Sequence, residues 1–408
     1  MPPPPSAPPA APPAASPSPD GAARVRAGSP AAAPGLAPRG AEAAAPRGRG
    51  AASNPAGRFE RLAYEADPDA LDDALRAAEA DGEAAPPAPR TLYLRDPSRT
   101  IVATNQSPDV GFDASVNPYR GCEHGCAYCY ARPTHEYLGF SAGLDFETRI
   151  LVKEEAPALL RRELERKAWR PRVVAMSGVT DAYQPIERRL RLTRRCLEVL
   201  AEFRNPVGIV TKSALVARDA DVLGALARVG AARVDVSITT LDAALARSLE
   251  PRASHPARRL GAIEALARAG VPVGVMVAPV IPGLNDAEIP RILRAAKDAG
   301  ASSAGSIVLR LPHGVKELFA EWLERCVPER RARVLARIRD VRGGALSDPR
   351  FGTRMRGEGL YAEQIRALFE LHRRRAGLDA PPPALSAAHF RRPADRQLSL
   401  GLGPGGGR

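Results

Sequence analysis

Three of the five cysteines of this 408-residue chain fall within eight residues, in the run Cys122-Glu-His-Gly-Cys126-Ala-Tyr-Cys129. The spacing is too tight and the number too odd for a disulfide framework. Three clustered thiolates are what an iron–sulfur cluster with one iron free of protein ligand requires, since full protein ligation takes four cysteines. Such an iron can bind a substrate or cofactor directly. Two other readings stay open on spacing alone. Cys-x-x-Cys can be a redox dithiol. A Cys3His zinc site could use the same thiols with His124 or His135 as fourth ligand, although structural zinc usually joins two separated ligand pairs and no second pair is present. Either alternative would make the protein a redox or adaptor module and not an enzyme.

The chain is 44% hydrophobic and 26% charged, enough for one large domain. Residues 1–57 consist mostly of Pro, Ala, Gly and Arg and offer too little apolar surface to offset their ordering entropy, so a disordered tail is expected there. Residues 378–408 read the same way. Between them the expected units are an N-terminal extension (58–110), a core (111–327) and a helical cap (328–377). No charged n-region precedes an apolar h-region, and the most apolar stretch, Val271 to Pro282, is short and interrupted by proline. A cytoplasmic location with reduced thiols and no membrane partner is therefore expected. The net charge of +13 suits nucleic acid or anionic metabolites without choosing between them.

From residue 110 onward, short β-branched runs alternate with helical patterns. Strands are predicted over 172–177, 207–211, 233–238, 271–277 and 306–310, with a first strand just before Cys122. Helices are predicted over 187–203, 219–229, 256–269 and 286–299. Gly270 and Gly300 stand where helix ends favour a left-handed residue. Alternating strand and helix implies parallel βαβ units, and the near-continuous apolar strands imply a sheet covered on both faces. About six units are too few for a closed eight-stranded barrel. The expected fold class is α/β, with the cysteine loop after the first strand and so at the C-terminal strand ends, where parallel barrels gather their chemistry.

Cys-x3-Cys-x-Tyr-Cys, together with Ser115-Val-Asn-Pro-Tyr-Arg-Gly-Cys122, Gly178-Val-Thr-Asp-Ala-Tyr-Gln-Pro185 and Glu250-Pro-Arg252, resembles the radical S-adenosylmethionine (SAM) superfamily. Within it, the likeness is to the branch of spore photoproduct lyases and to a related bacterial subgroup, over roughly residues 90 to 375. The resemblance implies a partial (β/α)6 TIM-like barrel, open on one side for the substrate, in which Cys122, Cys126 and Cys129 hold a [4Fe–4S] cluster. It also implies that SAM chelates the fourth iron and is cleaved reductively to methionine and a 5′-deoxyadenosyl radical. An electron donor of flavodoxin or ferredoxin type follows as partner. Carried over position by position, Tyr128 lies against the adenine, Thr180 and Asp181 receive the SAM amino group, and Lys212 and Ser237 meet its carboxylate and ribose. Ala278 falls at a further adenine contact. Tyr130 matches a radical-relay tyrosine of the lyases. Their hydrogen-donor cysteine has no counterpart, because Gly178 or a neighbour stands there and no cysteine occurs between Cys129 and Cys196. Reversal of a thymine dimer is therefore not implied.

Cys196 sits mid-helix among apolar residues and reads as core, and Cys326 as structural. Gln397-Leu-Ser-Leu-Gly-Leu402 resembles the short peptides that dock on the bacterial replication sliding clamp. With the charge and the lyase kinship, it points to nucleic acid ahead of a protein or small metabolite as substrate. The ligand assignment has a direct check: reconstituted Cys126→Ala should lack the brown iron–sulfur absorption, and a full-intensity cluster in that variant would mean the ligands lie elsewhere.

Overall fold

The computed structural model describes residues 46, 48–59 and 90–393. Strands β1 (Leu92–Arg95), β2 (Val102–Thr104), β3 (Ala114–Val116), β4 (Tyr119–Arg120) and β5 (Arg149–Val152) come first, with a short helix α1 (Leu144–Thr148) between β4 and β5. Helix α2 (Ala156–Glu165) leads to β6 (Val174–Met176), followed by α3 (Glu187–Leu190) and α4 (Leu192–Phe203). Then come β7 (Val207–Thr211), α5 (Ala220–Ala227), β8 (Ala232–Ser237), α6 (Ala243–Leu249), α7 (Pro256–Arg268), β9 (Val273–Val280), α8 (Ile289–Asp298) and β10 (Ser303–Val308). Four helices complete the order: α9 (Val315–Cys326), α10 (Pro328–Asp340), α11 (Thr353–Arg356) and α12 (Leu360–Arg375).

Strands β3, β6, β7, β8, β9 and β10 pair in that order and all in parallel, and β2 adds antiparallel at the β3 edge. These are the six parallel units of a partial barrel. The strands are rich in valine because β-branched side chains suit a pleat packed on both sides. Val207, Ile209, Val234, Val236, Val273, Val275 and Val277 are all buried, as are Leu197, Leu200 and Phe203 of α4, which pack against the sheet from outside. Gly270 and Gly300 close α7 and α8 at φ +75° and +98°, the left-handed geometry that glycine adopts without steric cost. The single helix predicted over 187–203 is instead broken at Arg191, at φ 52°. The break turns the Glu187 carboxylate inward, where it accepts from Tyr119 Oη at 2.5 Å and from Thr193 N, near the start of α4, at 3.1 Å. Hydrophobic periodicity carries no trace of that cap. Cys196 is fully buried in the main core, and Cys326 packs beside the second cluster around Trp322, both as expected.

Both ends are more ordered than composition suggests, and the expectation for residues 1–57 and 378–408 fails over 48–57 and 378–393. Gly50 N and Ala51 N donate to the buried Glu147 carboxylate at 3.0 and 2.9 Å, and Arg49 reaches the Glu147 carbonyl at 2.9 Å. The approach is so close that a Cβ on Gly50 would lie 1.8 Å from the Gly125 carbonyl oxygen in the cysteine loop. This segment is held by polar bonds, to the Glu147 carboxylate and also between Asn54 and Asp145 and between Arg58 and Glu136, a mode that a count of apolar residues misses. At the other end Leu378 is fully buried, Ser386 N donates to Gly230 O at 2.9 Å, and Phe390 packs on Phe203 at 6.2 Å between ring centroids. The peptide Gln397–Leu402 lies outside the described residues. Deleting residues 1–58 strips Glu147 of two donors, and a buried acceptor left unpaired costs about 1–3 kcal/mol or more. The expected outcome is a Tm lower by roughly 4 °C; an unchanged Tm would contradict the packing of residues 48–58.

Candidate active site at the cysteine loop

The cysteine loop leaves β4 beside the C-terminal edge of the parallel sheet and has almost no secondary structure of its own. It is held by three sets of side chains. Arg132, fully buried, spans the loop base: its Nε and Nη2 donate to Cys126 O at 3.1 and 2.9 Å, its Nη1 to Gly143 O at 2.9 Å, and it pairs with Glu147 at 2.5 Å. Gln184, from the Gly178–Pro185 motif, accepts from Glu123 N at 3.0 Å and donates to Gly121 O at 3.2 Å. The segment 249–252 runs alongside, taking Ala127 N on Leu249 O at 3.0 Å and giving Arg252 N to His124 O at 3.2 Å.

That last segment contains Glu250-Pro-Arg252, whose residues work in two directions. Arg252 reaches outward to the buried Glu123 at 3.2 Å. Glu250 points inward, where its carboxylate accepts from Tyr128 Oη, from Thr239 Oγ1 at 2.5 Å and from the fully buried Arg259. Burial pulls the Glu250 carboxyl upward, but the Arg259 guanidinium and the Lys212 ammonium outweigh it and hold the carboxyl down at about 2. Arg259 in turn donates to Ser237 O at 3.0 Å. Lys212 Nζ lies 5.8 Å from the Tyr128 ring centroid and donates to Ala278 O at 3.1 Å. Tyr128, Lys212, Ser237 and Ala278, singled out separately from sequence, are thus joined through Glu250, Thr239 and Arg259. The Ser237 hydroxyl itself meets no protein partner among the described residues.

Thr180 and Asp181 are engaged otherwise. Asp181 Oδ1 accepts from Thr211 Oγ1 at 2.7 Å and Tyr183 N at 2.9 Å, and Oδ2 from Lys212 N at 2.8 Å, with His124 Nδ1 at 3.4 Å. Burial opposes its ionisation, yet His124 and these donors hold it down at about 2. Its acceptor capacity is spent on tying the β6 and β7 loops to the cysteine loop. Thr180 Oγ1 lies 2.9 Å from Ser177 Oγ within its own turn. Asn117, from the Ser115–Cys122 motif, fixes that turn by accepting from Gly178 N at 2.9 Å and Val179 N at 3.2 Å. Asn117, Gln184, Glu250 and Arg259 hold the loops of this site, and sequence reasoning left them unassigned. Three of them lie inside the motifs that carried the resemblance, which was the available signal; Arg259 had none.

Tyr130 is half exposed at 50%, yet its hydroxyl turns inward and donates to Gly178 O at 2.9 Å. Desolvation of that hydroxyl, then the Cys129 sulfur, push the phenol up to about 12. The Arg310 guanidinium lies 5.5 Å from its ring centroid.

The thiols suit a cluster. Cys122 and Cys126 are buried and Cys129 partly so, with Cys129 packing against the groups around both. Burial pushes the Cys122 thiol well upward, and Asp181 and the other two cysteines add to it. Burial also raises Cys126 and Cys129. Three close thiols in a dry pocket resist ionisation unless a cationic metal centre replaces their protons. Among the described residues no three His, Cys, Asp or Glu side chains form a group that could hold a metal ion. His124 is bonded to Asp181, and His135 Nε2 lies 3.0 Å from Arg149 O with its ring against Phe140 and Phe146.

Residues 116–296 match the family model of the radical SAM superfamily. An uncharacterised protein of Mycobacterium tuberculosis is 36% identical over 292 residues, covering 70% of this chain and 83% of the relative. The chain belongs to the radical SAM superfamily. An uncharacterised protein of Methanocaldococcus jannaschii is 31% identical over 174 residues, 42% of this chain and 62% of its own. Among solved structures, a point variant of spore photoproduct lyase superposes with a TM-score of 0.47 at 17% identity, over 70% of this chain and 80% of that one. As a radical SAM enzyme the protein works with a [4Fe–4S] cluster and SAM and takes its electrons from a reductant. No helix among the described residues is long and apolar enough to cross a membrane.

Glu250 gives this radical SAM site a pH signature. Its folded-state value, about 2, lies below the ordinary 4.5, so its stabilisation is fully present above about pH 4.5 and is lost as pH falls through 2. Glu250→Gln should flatten the decline of Tm between pH 5 and 2.5 and, at pH 7, lower the unfolding free energy by the roughly 3–5 kcal/mol that breaking a buried pair costs. An acid limb unchanged in the variant would contradict the pairing.

Proposed function

We propose that Cys122, Cys126 and Cys129 hold the [4Fe–4S] cluster, with SAM bound between it and the strand ends that carry Lys212, Ser237 and Ala278, and that the substrate is a nucleic acid. The cluster and SAM together supply a carbon radical that abstracts hydrogen. The chain supplies dryness and position. Tyr128 presents its backbone beside the cluster while Glu250 and Thr239 fix its ring. The Ser237 hydroxyl, without a protein partner, is open to a ligand, and Lys212 brings a positive charge to the same edge. Thr180 and Asp181 shape the loop through which the SAM amino group is reached, and with both side chains committed to protein partners, that contact falls to their backbone.

The observation that carries the nucleic-acid reading is the rim around Tyr130. Two exposed aromatic rings, Tyr130 and Phe351, are each covered by a guanidinium, Arg310 at 5.5 Å and Arg354 at 4.3 Å from the ring centroids. Burial and then the neighbouring Arg354 charge lower the Arg310 pKa, so the two cations share one patch. Arg354 and Gly352 N are tied to Asp109 at 2.5 and 2.8 Å, which carries the turn containing Phe351 from beyond β10 to the loop between β2 and β3. Aromatic faces flanked by arginines are how proteins take unstacked bases and their phosphates. Tyr130 then stands between the substrate and the cysteine loop, placed to relay a hydrogen atom. Gly178, beside it, leaves open the space where the lyases carry a cysteine. The peptide Gln397–Leu402 fits the same reading as a tether to the replication clamp.

Single-stranded DNA and RNA oligonucleotides titrated against the reconstituted protein test this. Phe351→Ala and Arg310→Ala should each weaken binding about tenfold, the loss of one stacking contact, while substrate-free SAM cleavage stays unchanged. Failure of every oligonucleotide to bind the native protein would reassign the substrate to a protein or small metabolite.

A further inference from the structure

Beside the cysteine loop, on residues that neither the Glu250 network nor the Tyr130 rim uses, lies a cavity of about 170 Å³. Its lining is basic and polar, with His124, Arg188, Ser213, Arg252, His255 and Arg258 among it. His124 is only 3% exposed and belongs to the cysteine loop itself, two residues after Cys122 and two before Cys126. Its Nδ1 faces Asp181 at 3.4 Å, and its Nε2 meets no protein partner among the described residues. A polar nitrogen in so buried a side chain ordinarily has a partner. The walls supply donors. Arg188 and Arg258 are exposed and form no ion pair among the described residues, so two positive charges go unanswered, while Arg252 is spent on Glu123 at 3.2 Å. His255 Nδ1 accepts from Ala257 N at 3.3 Å, which leaves the ring hydrogen on Nε2. Ser213 Oγ accepts from Leu215 N at 3.3 Å and keeps its own hydrogen to give. Helix α7 starts at this wall and adds the positive end of its dipole.

We infer that this cavity binds a phosphate group. Two unpaired arginines answer the two negative charges that a phosphate monoester approaches at neutral pH. Guanidinium forks match phosphate oxygens in shape as well as charge. Inorganic phosphate carries a hydroxyl beside its bare oxygens, so it can meet His124 Nε2 whichever partner brings the hydrogen. A carboxylate brings one charge and no hydrogen. The volume takes a phosphate and a few waters, and no exposed aromatic ring lines the cavity to hold a base. The group can arrive as inorganic phosphate or as the terminal phosphate of a nucleic-acid strand. Seated there, it joins three elements through side chains that are otherwise unanswered: α3 by Arg188, α7 by Arg258, and the cysteine loop by His124. Occupancy therefore braces the loop from the side opposite to no other ligand's contact, and it does so whether or not the rim around Tyr130 takes a nucleic acid.

The test uses the reconstituted full chain and its Arg188→Gln, Arg258→Gln double variant. Substitution at two exposed positions without ion pairs should leave the phosphate-free Tm unchanged. Radiolabelled inorganic phosphate is the first probe, in equilibrium dialysis at an ionic strength held constant with sodium chloride. The native chain should bind one phosphate and gain Tm as phosphate is added, and the double variant should bind at least tenfold more weakly. Phe351→Ala, at the rim, should bind phosphate as the native chain does. The second probe is an oligonucleotide with a 5′ phosphate, compared with its 5′-hydroxyl twin. A preference for the phosphorylated strand that the double variant abolishes assigns the cavity to a strand end; no preference, with inorganic phosphate bound, assigns it to the free ion. Equal phosphate affinity in the native chain and the double variant overturns the proposal, as does a native chain that neither binds inorganic phosphate nor prefers the phosphorylated strand. Phosphate binding in a protein that takes no oligonucleotide would strike the nucleic-acid reading alone.

Discussion

The site depends on burying charge in pairs. A loop carrying three thiols must stay dry and hold its shape, yet it is irregular and closes only a few hydrogen bonds on itself, such as Cys129 N to Cys126 O at 3.2 Å. The chain meets this with two ion pairs, Arg132–Glu147 beneath the loop and Arg259–Glu250 on the barrel side, all four side chains at most 1% exposed. A buried pair gains little over an apolar pair of the same size, but removing one partner strands the other. That asymmetry suits a site whose geometry matters more than its stability. Every carboxylate oxygen of the two glutamates that the structure resolves in a bond is committed: Glu147 to residues 50, 51 and 132, Glu250 to Tyr128, Thr239 and Arg259. Pulling on any one displaces the loop.

The same economy explains why distant parts of the chain appear at the loop. The strap at residues 48–58 fills the outer side of Glu147, the segment 249–252 lies along the loop's other edge, and Gln184 clasps its entrance. Each gives backbone or amide groups where an apolar contact would fix position only loosely. The face toward the strand ends carries the Ser237 hydroxyl, unpartnered among the described residues, and the Lys212 charge. The two remaining faces differ in chemistry: aromatic rings under guanidinium groups around Tyr130, and unpaired arginines around His124.

The architecture was legible because its physics is periodic. Valine runs of five to eight residues, glycines at 270 and 300 and helical spacing between them follow from burial on both faces of a parallel sheet. The cysteine run was legible because three thiols so close admit few chemistries. What stayed hidden was set by individual polar bonds. The break at Arg191 follows from where the Glu187 carboxylate must point. The order at residues 48–58 follows from Glu147, far along the chain, and not from local composition. Asp181 read as a free ligand at a strand end, and only the positions of Thr211, Lys212 N and His124 reveal that its oxygens are taken. Arg259 looked like any exposed helical arginine, since nothing local distinguishes the one that turns inward.

The central claim is that the three cysteines of this loop support reductive cleavage of SAM. The most direct measurement is anaerobic: reconstitute the protein with iron and sulfide, reduce it with dithionite, add SAM and quantify 5′-deoxyadenosine. The account predicts production by the native chain that vanishes in each of Cys122→Ala, Cys126→Ala and Cys129→Ala. Production that survives loss of any one thiol, or a native protein that binds zinc in place of iron and forms no 5′-deoxyadenosine, would contradict it.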